Sequence, residues 1–269
     1  MKTKRIIKLL LMLVTVVSLV PMPAGAVELC PRDSVQVGPT CLDKYEASLW
    51  KIQAGSVTIR KIRAGTVTTA DLMAVGAVQL GRTPGDLAAN GCPDTGNGCV
   101  DVYAVSIAGV EPARFTTWFQ AAAAARNSFK RLPSNAEWQV AALGTPDAGA
   151  NPGAQDCNTH SAGPDLTGVR TNCVSDAGAF DMVGNVSEWV AEWVPLSTHP
   201  CGSTLQGLPG WGTFSDDYQC LSGADTTSGP GALIRGGDFN HGAGAGVFAV
   251  FGDNRPFDRL GSIGFRAAR

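Results

Sequence analysis

Eight cysteines in a chain of 269 residues constrain the fold more than any other feature of the sequence. Their number is even, and they fall in pairs that are close in sequence, which indicates disulfides formed in an oxidising compartment. Zinc binding is the alternative, but neither a C-x-x-C nor an H-x-x-x-H spacing occurs. The sequence leaves the connectivity open. The expected bridges are Cys30–Cys41, Cys92–Cys99, Cys157–Cys173 and Cys201–Cys220.

The first residues have the pattern of a secretory signal peptide. Basic residues precede an apolar run at 6–20, and Ala24-Gly25-Ala26 follows as a small-residue cleavage site. We therefore expect residues 1–26 to be removed and the mature chain, without a membrane span, to be periplasmic, on the cell surface or secreted. An uncleaved anchor is the alternative, but the apolar run is short for a membrane-crossing helix. Lipidation at Cys30 is not expected, because the residues before it are not small.

Charge and composition narrow the classes of partner. The predicted mature chain has 17 Lys and Arg residues against 23 Asp and Glu residues, a formal charge of −6, and contains no basic cluster. A nucleic-acid partner is therefore not expected, because such binding depends on neutralising phosphates. The 33 glycines and 16 prolines predict many turns and long loops.

Two helices can be predicted from capping residues. Thr116 or Thr117 can cap a helix that continues through an alanine-rich run. Ser134, with Glu137 three residues later, forms a capping box for a second helix, whose Trp138 is expected to face the core. Before them, the stretch from Cys41 alternates as a strand does. Residues 51–80, with two A-G-[ST]-V-T units, suggest an inserted hairpin followed by a small helix.

Four stretches in this order resemble the formylglycine-generating-enzyme (sulfatase-modifying factor) domain: "KRLPSNAEWQVAA", "GAFDMVGNVSEWVAEW", "LIRGGDF" and "IGFRAAR". The resemblance spans roughly residues 41–269. It implies a loop-rich α+β fold, a variant of the C-type lectin fold with short strands and two helices. It also implies a single domain over 27–269 with an insertion at about 51–90.

The same resemblance implies a structural calcium ion in the loop "DMVGNVSE". Asp181 would contribute a side-chain oxygen, Gly184 and Val186 backbone carbonyls, and Glu188 a carboxylate. Calcium prefers such oxygen ligands, although the spacing of two acids alone is weak evidence. A second family calcium site would involve Asn158.

The enzyme chemistry of the family is not expected here. The family catalyst binds copper(I) through two cysteines after the Gly-Gly turn, and a soft metal of this kind requires thiolates. The positions approximately in register are His241 and Gly246, and no cysteine follows Cys220. We therefore expect no copper and no catalytic residues. A formylglycine-generating oxidase remains the disfavoured alternative.

The C-terminal segment, "RGGDFNHGAGAGVFAVFGDNRPFDRLGSIGFRAAR", resembles the variable region of proteins diversified by diversity-generating retroelements. Ala245–Ala249 and Ile263–Arg266 match the fixed parts of that region. Retroelement mutagenesis changes adenines and leaves a pyrimidine at the third codon position. Lys, Gln, Glu, Met and Trp, which have no such codon, are absent from residues 238–269. The resemblance implies a variable ligand-binding segment at 238–262.

Exposed side chains between fixed positions would then contact an extracellular protein or glycan. Val247, Phe248, Ile263 and Phe265 are expected to be buried and to fix the backbone. A lectin or adhesin of fixed specificity is a further alternative. For Phe239 and Phe251 a core position is an equal alternative. The predicted contacts are Asp238, Phe239, Asn240, His241, Phe251, Asp253, Asn254, Arg255, Phe257, Asp258, Arg259, Leu260 and Ser262.

Overall fold

The computed structural model describes residues 30–195, 216–221 and 229–269; the predicted signal peptide and Cys201 lie outside them. This part of the chain forms short strands and short helices joined by long loops. The strands are β1 Ser34–Val37, β2 Thr40–Asp43, β3 Ala47–Lys51, β4 Val78–Leu80, β5 Val102–Ser106, β6 Ser187–Val194, β7 Gln219–Cys220, β8 Gly231–Arg235, β9 Val250–Asn254 and β10 Ile263–Phe265. The helices are α1 Val57–Arg63, α2 Thr69–Ala74, α3 Asp86–Ala89, α4 Trp118–Asn127 and α5 Asn135–Ala141.

The strands form three sheets. The largest has the order β10-β6-β8-β9-β7 and is mixed, because β10 pairs with β6 and β7 pairs with β9 in parallel while the inner pairs are antiparallel. A second sheet has the order β4-β3-β5, and β1 pairs with β2 as a hairpin. Strand β8, which precedes the predicted variable segment, and strand β9, which lies within that segment, are therefore both inner strands of the largest sheet.

The main core lies between helix α4 and these sheets. Ala121, Ala124 and Ala125 of α4 are fully buried against a cluster that includes Trp189 and Phe265. Alanine lets the helix backbone approach the strands closely while retaining high helix propensity. The alanine run is thus a packing surface that lies against β5 and shares one core cluster with residues of the largest sheet.

Both predicted helix starts are confirmed. The Thr117 hydroxyl accepts a hydrogen bond from the backbone N–H of Gln120, and Ser134 accepts one from the N–H of Glu137, each completing a capping box. The Trp138 side chain is fully buried, as its helical position predicts. These elements could be found from sequence because a cap depends only on residues within one turn.

Acid titration provides a test of the α5 cap. The hydrogen bond from Arg131, assisted by Thr40 and Ser134, lowers the pKa of Glu137 from 4.5 to about 2. The carboxylate therefore adds stability that is complete above pH 4.5 and is lost as the pH falls towards 2. We expect Glu137→Gln to cost about 1–2 kcal/mol at neutral pH and much less near pH 2, measured by urea unfolding. A cost independent of pH would contradict this role of the carboxylate.

The expected hairpin within residues 51–80 is wrong. Each A-G-[ST]-V-T unit instead leads into a helix: Gly55 and Gly65 adopt left-handed backbone angles, with φ of +86° and +66°. Ser56 then caps α1, and Thr68 caps α2 with a capping box. Together with α3, these helices bring the described chain to more than the two helices expected.

Three predicted disulfides, Cys30–Cys41, Cys92–Cys99 and Cys157–Cys173, are confirmed. Cys220 is also disulfide-bonded, but its predicted partner Cys201 lies outside the described residues, so that pairing stays a prediction. Each confirmed bridge closes a loop of 7 to 16 residues and limits the freedom of the unfolded chain. Separately, none of the helices in the described part of the chain has the length and apolar character needed to cross a bilayer.

Candidate ligand-binding face

Two consecutive glycines set the direction in which the C-terminal segment leaves β8. Gly236 and Gly237 have φ values of +85° and +74°, which L side chains rarely adopt. A Cβ on Gly236 would lie 2.8 Å from the carbonyl oxygen of Met182, and one on Gly237 would lie 2.7 Å from Ala245. The turn therefore requires glycine at both positions and brings residues 238–246 back against the sheet.

Arg235 connects the segment that follows this turn to β8 through hydrogen bonds. Its Nε donates to the carbonyl of Ala249 at 3.0 Å and its Nη2 to the carbonyl of Val247 at 2.9 Å. The guanidinium also lies 4.6 Å from the centre of the Trp138 ring. Burial lowers the pKa of Arg235 to about 10, so the group remains charged at neutral pH. The segment is thus held by a buried cation through its backbone carbonyls.

Asp238 and His241 form a compact corner. The Asp238 carboxylate accepts a hydrogen bond from the backbone N–H of Asn240 at 2.9 Å, and His241 Nδ1 accepts one from the N–H of Asp238 at 2.9 Å. The expected display of Asp238 is therefore wrong: only 6% of the residue is exposed, because its side chain closes the turn. His241 is half-buried beside Phe251, with ring centres 5.1 Å apart.

The expected burial of Phe248 is also wrong, since 46% of the residue is exposed. Its backbone N–H donates to Asp217 at 2.7 Å, and the preceding Val247 is the residue that packs on the core. By contrast, Ile263 and Phe265 are buried as expected. The segment therefore exposes one more aromatic side chain than the sequence indicates.

This face contains a pocket of about 340 Å³, here called the aromatic pocket. Part of its wall comes from the loop after β9 and part from residues outside the predicted segment. The lining residues are Trp193, Pro230, Arg255, Pro256, Phe257 and Asp258.

Trp193 reaches this pocket because of an irregularity in β6. Trp189 is fully buried, but the pairing of β6 with β8 shifts register between Trp189 and Trp193, and Trp193 is 41% exposed. Of these two tryptophans, Trp189 is thus a core residue and Trp193 is a surface residue. Sequence reasoning missed Trp193 and Pro230 as pocket residues because a strand bulge and a long-range contact leave no local pattern.

Other aromatic rings hold the pocket walls in place. Trp118 and Phe119 of α4 pack edge-on against Trp193, with ring centres 5.3 and 5.7 Å away. Phe119 also contacts Phe257 at 4.8 Å. The indole of Trp118 donates to the carbonyl of Val190 at 2.8 Å. The exposed rings of Trp193 and Phe257 are therefore held in place by aromatic side chains of helix α4.

A charged pair lies at the edge of the pocket. Arg255 Nε and Nη2 both lie 3.0 Å from Asp258 Oδ1, and the backbone N–H of Arg255 donates to Asp258 Oδ2 at 2.8 Å. A second pair joins Arg259 to Asp94 at 3.0 Å. Both pairs are open to solvent, so they orient the loop more than they stabilise it.

The remaining predicted contacts differ in exposure. Asn240, Asp253 and Leu260 are exposed, and Phe239, Asn254 and Ser262 are half-buried. The loop end is tied down, because the carbonyls of Leu260 and Ser262 accept hydrogen bonds from the backbone of neighbouring segments. The segment therefore presents alternating free and anchored positions.

The loop predicted to bind calcium is organised around a guanidinium. Arg266 is fully buried; its Nε donates to both carboxylate oxygens of Glu188 at 2.9 and 2.7 Å, and its Nη2 donates to Oε1 at 2.6 Å. Trp138 Nε1 donates to the same carboxylate at 2.6 Å. As arranged, Glu188 does not fit a calcium ligand, because a cation would have to displace Arg266 from it.

Two further acids are buried near this pair. Burial raises the pKa of Asp181 to about 7, and its Oδ2 accepts a hydrogen bond from the N–H of Gly168 at 2.7 Å. Burial and repulsion by Asp181 and Glu188 raise the pKa of Glu46. Asn158 Oδ1 is buried with no hydrogen-bond partner among the described residues, but one free oxygen does not make a calcium site.

Removal of the ion tests the predicted calcium site against this arrangement of Arg266 and Glu188. Because Arg266 occupies Glu188, we expect the same thermal unfolding midpoint in millimolar calcium and in EDTA. An ion bound only to the folded state at about 100 times its Kd would add about 2.7 kcal/mol of stability. A clear rise of the midpoint with calcium would show that the loop rearranges to bind the ion.

The fold agrees with that of a known protein family. The family model "Sulfatase-modifying factor enzyme 1-like domain" matches residues 19–269, nearly the whole chain. The chain belongs to this family. Its architecture is accordingly the α+β, formylglycine-generating-enzyme-like variant of the C-type lectin fold.

Individual relatives of this sulfatase-modifying factor domain match only in part. The chain is 38% identical over 121 residues to the serine/threonine-protein kinase Pkn1 of Chlamydia trachomatis serovar L2, covering 39% of the chain and 20% of the relative. It is 33% identical over 107 residues to the formylglycine-generating enzyme of Thermomonospora curvata, covering 33% and 35%. The chain thus spans between a fifth and about a third of these relatives.

Among solved structures, the chain is similar to the Major Tropism Determinant P3c variant. The TM-score is 0.48 at 17% identity, over 89% of this chain and 53% of the other.

Proposed function

We propose that the chain is an exported, non-enzymatic binding protein whose residues 238–262 form a variable ligand-binding surface on the sulfatase-modifying factor fold. The observation that carries the proposal is the aromatic pocket, four of whose six lining residues belong to this segment. Exposed aromatic and arginine side chains around a concave site are typical of binding hot spots.

The contrast between free and anchored positions supports variability within the segment. A Cβ on Gly246 would lie 1.8 Å from Asp217, and one on Gly261 would lie 2.8 Å from the Phe115 ring. Neither position can accept a larger residue without rearrangement. Exposed positions such as Asp253 and Leu260 carry no such restriction, and substitutions there usually cost little stability.

The absence of catalysis is supported by the corner where the family places its thiols. His241 and Gly246 occupy the corresponding positions, and every cysteine within the described residues is disulfide-bonded. A disulfide sulfur cannot supply the thiolate that copper(I) requires. Incubation with copper and a sulfatase-motif peptide should therefore yield no aldehyde; an aldehyde product would instead establish the oxidase alternative.

Export is supported by the disulfides, which persist in oxidising compartments. An extracellular protein or glycan is then the proposed class of ligand. Sequencing the surrounding locus separates a diversified surface from a lectin or adhesin of fixed specificity. A near-copy of the DNA for residues 238–262, differing at adenines and close to a reverse-transcriptase gene, is the expected finding, and its absence would contradict diversification.

Neighbouring substitutions test the division between free and anchored positions. We expect Asp253→Asn and Leu260→Asn to change the free energy of unfolding by no more than about 0.5 kcal/mol each, because both side chains are exposed. Ile263→Asn is the matched control, since Ile263 is 1% exposed and should lose at least about 3 kcal/mol. Urea unfolding measures all three. Equal losses at the exposed and buried positions would contradict a variable surface.

A further inference from the structure

We infer that the aromatic pocket binds a neutral saccharide, and that Trp193, which lies outside the variable segment, is the ring on which the sugar stacks. The inference rests on the proposed function and narrows its ligand. It also divides the pocket into constant residues outside the variable segment and variable residues within it.

The size of the pocket favours a small ligand. Its volume of about 340 Å³ lies at the lower end of the range typical of small-molecule sites, roughly 300–1,000 Å³. A cavity of this size can enclose one or two sugar rings.

The apolar walls match the faces of such a ring. Trp193 and Phe257 are 41% and 54% exposed, and Pro230 and Pro256 complete the apolar lining. The axial C–H groups of a pyranose form an apolar face that stacks on an aromatic ring. Because Phe119 packs against both exposed rings, little side-chain freedom is lost on binding.

The charges at the pocket edge favour a ligand that is neutral and hydroxylated. Arg255 and Asp258 have opposite charges 3.0 Å apart, so an anion would meet the carboxylate and a cation the guanidinium. No hydrogen bond among the described residues uses Arg255 Nη1. A donor and a carboxylate acceptor thus lie side by side, as two adjacent hydroxyls require. A purely apolar peptide would leave both groups without partners.

Glycan-array screening of the disulfide-bonded chain, with neutral, sialylated and sulfated saccharides as probes, is the first experiment. We expect neutral saccharides to bind, and titration calorimetry with the strongest neutral saccharide then gives the affinity. Trp193→Ala should weaken it at least about tenfold, whereas Trp193→Phe, which keeps a stacking face, should retain most of it. Phe129→Ala removes a ring that is 66% exposed but packs on Arg63, away from the pocket, and should leave the affinity unchanged. Unfolding midpoints confirm that each variant is folded.

Three results would overturn the inference: no neutral saccharide bound at about 10 mM, a preference for anionic glycans, or an affinity unaffected by Trp193→Ala. The outcomes also separate the two proposals. If a purified protein ligand binds and is lost on substitution at Asp253 or Leu260 while saccharides do not bind, the variable surface stands and the saccharide inference fails. If a saccharide binds through Trp193 and no substitution within 238–262 alters affinity or specificity, the pocket assignment stands and the variable surface fails.

Discussion

An Arg266→Leu variant is expected to lose at least about 3–5 kcal/mol of unfolding free energy, enough to prevent folding of many domains. The guanidinium is fully buried, donates to both carboxylate oxygens of Glu188, and bonds the carbonyl of Phe180. Burial acts to lower the pKa of Arg266, but the hydrogen bond to Glu188 and the attraction to Glu188, Glu46 and Asp181 together outweigh it and raise the pKa. Leucine would leave the acids Glu46, Asp181 and Glu188 buried without their cation.

Arg259→Leu is the matched control for this prediction. Arg259 also pairs with a carboxylate, that of Asp94, but its side chain is 39% exposed, and exposed pairs contribute about 0–1 kcal/mol. Urea unfolding under non-reducing conditions compares the two variants. Similar small losses would mean that the buried acids are neutral or are compensated by another cation, and the Arg266-centred arrangement of the loop would be wrong.

Arg266 also shows which kind of contact could not be predicted from the sequence. The capping boxes at Thr117 and Ser134 and the three confirmed disulfides depend on residues close in sequence, so local patterns predicted them. The pairing of Glu188 with Arg266 joins residues 78 positions apart. A carboxylate in a glycine-bearing loop resembles a calcium ligand until the structure places a guanidinium against it.

On the binding face, too, the sequence predicted the exposure of some residues correctly and of others wrongly. The resemblance to a variable region with fixed positions correctly indicated exposure at Arg255, Phe257 and Leu260. It failed at Asp238 and Phe248, where hydrogen bonds of the turn decide which side chain faces inward. Composition and spacing report which residues can be displayed, whereas backbone hydrogen bonds determine which ones are.

A Lys130→Met variant is also expected to lose about 3–5 kcal/mol of unfolding free energy at neutral pH. The ammonium is fully buried and lies 2.5 Å from Asp43 Oδ1 and 2.8 Å from Asp33 Oδ2. Arg269 binds Asp33 from the other side at 2.8 Å, joining the C-terminal residue to the β1–β2 region. Methionine fills a similar volume but leaves the Asp43 carboxylate buried without its cation.

Lys61→Met provides the control, because Lys61 forms the same kind of pair with Asp71 while its side chain is 45% exposed. A loss below about 1 kcal/mol is expected there. If Lys130→Met cost no more than Lys61→Met, the buried cluster would contribute to the geometry of the β1–β2 region but not to its stability.

The pH dependence of the loss identifies the group responsible. Burial raises the pKa of Asp43 from 3.8 to about 6, although Lys130 opposes the shift. Burial also acts to raise the pKa of Asp33, but attraction by Lys130 and the hydrogen bond from Arg269 outweigh this effect and lower the pKa. Removing Lys130 therefore moves both pKa values upward, so the folded variant binds more protons than the wild type as acid is added.

Because protons bound by the folded state stabilise it as the pH falls, the deficit of Lys130→Met should be largest above pH 6 and should shrink towards pH 4. The double variant Lys130→Met/Asp43→Asn should recover part of the loss at neutral pH, since it removes the buried charge that lost its partner. Urea midpoints at about pH 4 and 7.5 measure both effects. A deficit that is the same at both pH values, with no recovery in the double variant, would assign the loss to packing of the lysine stem and not to its charge.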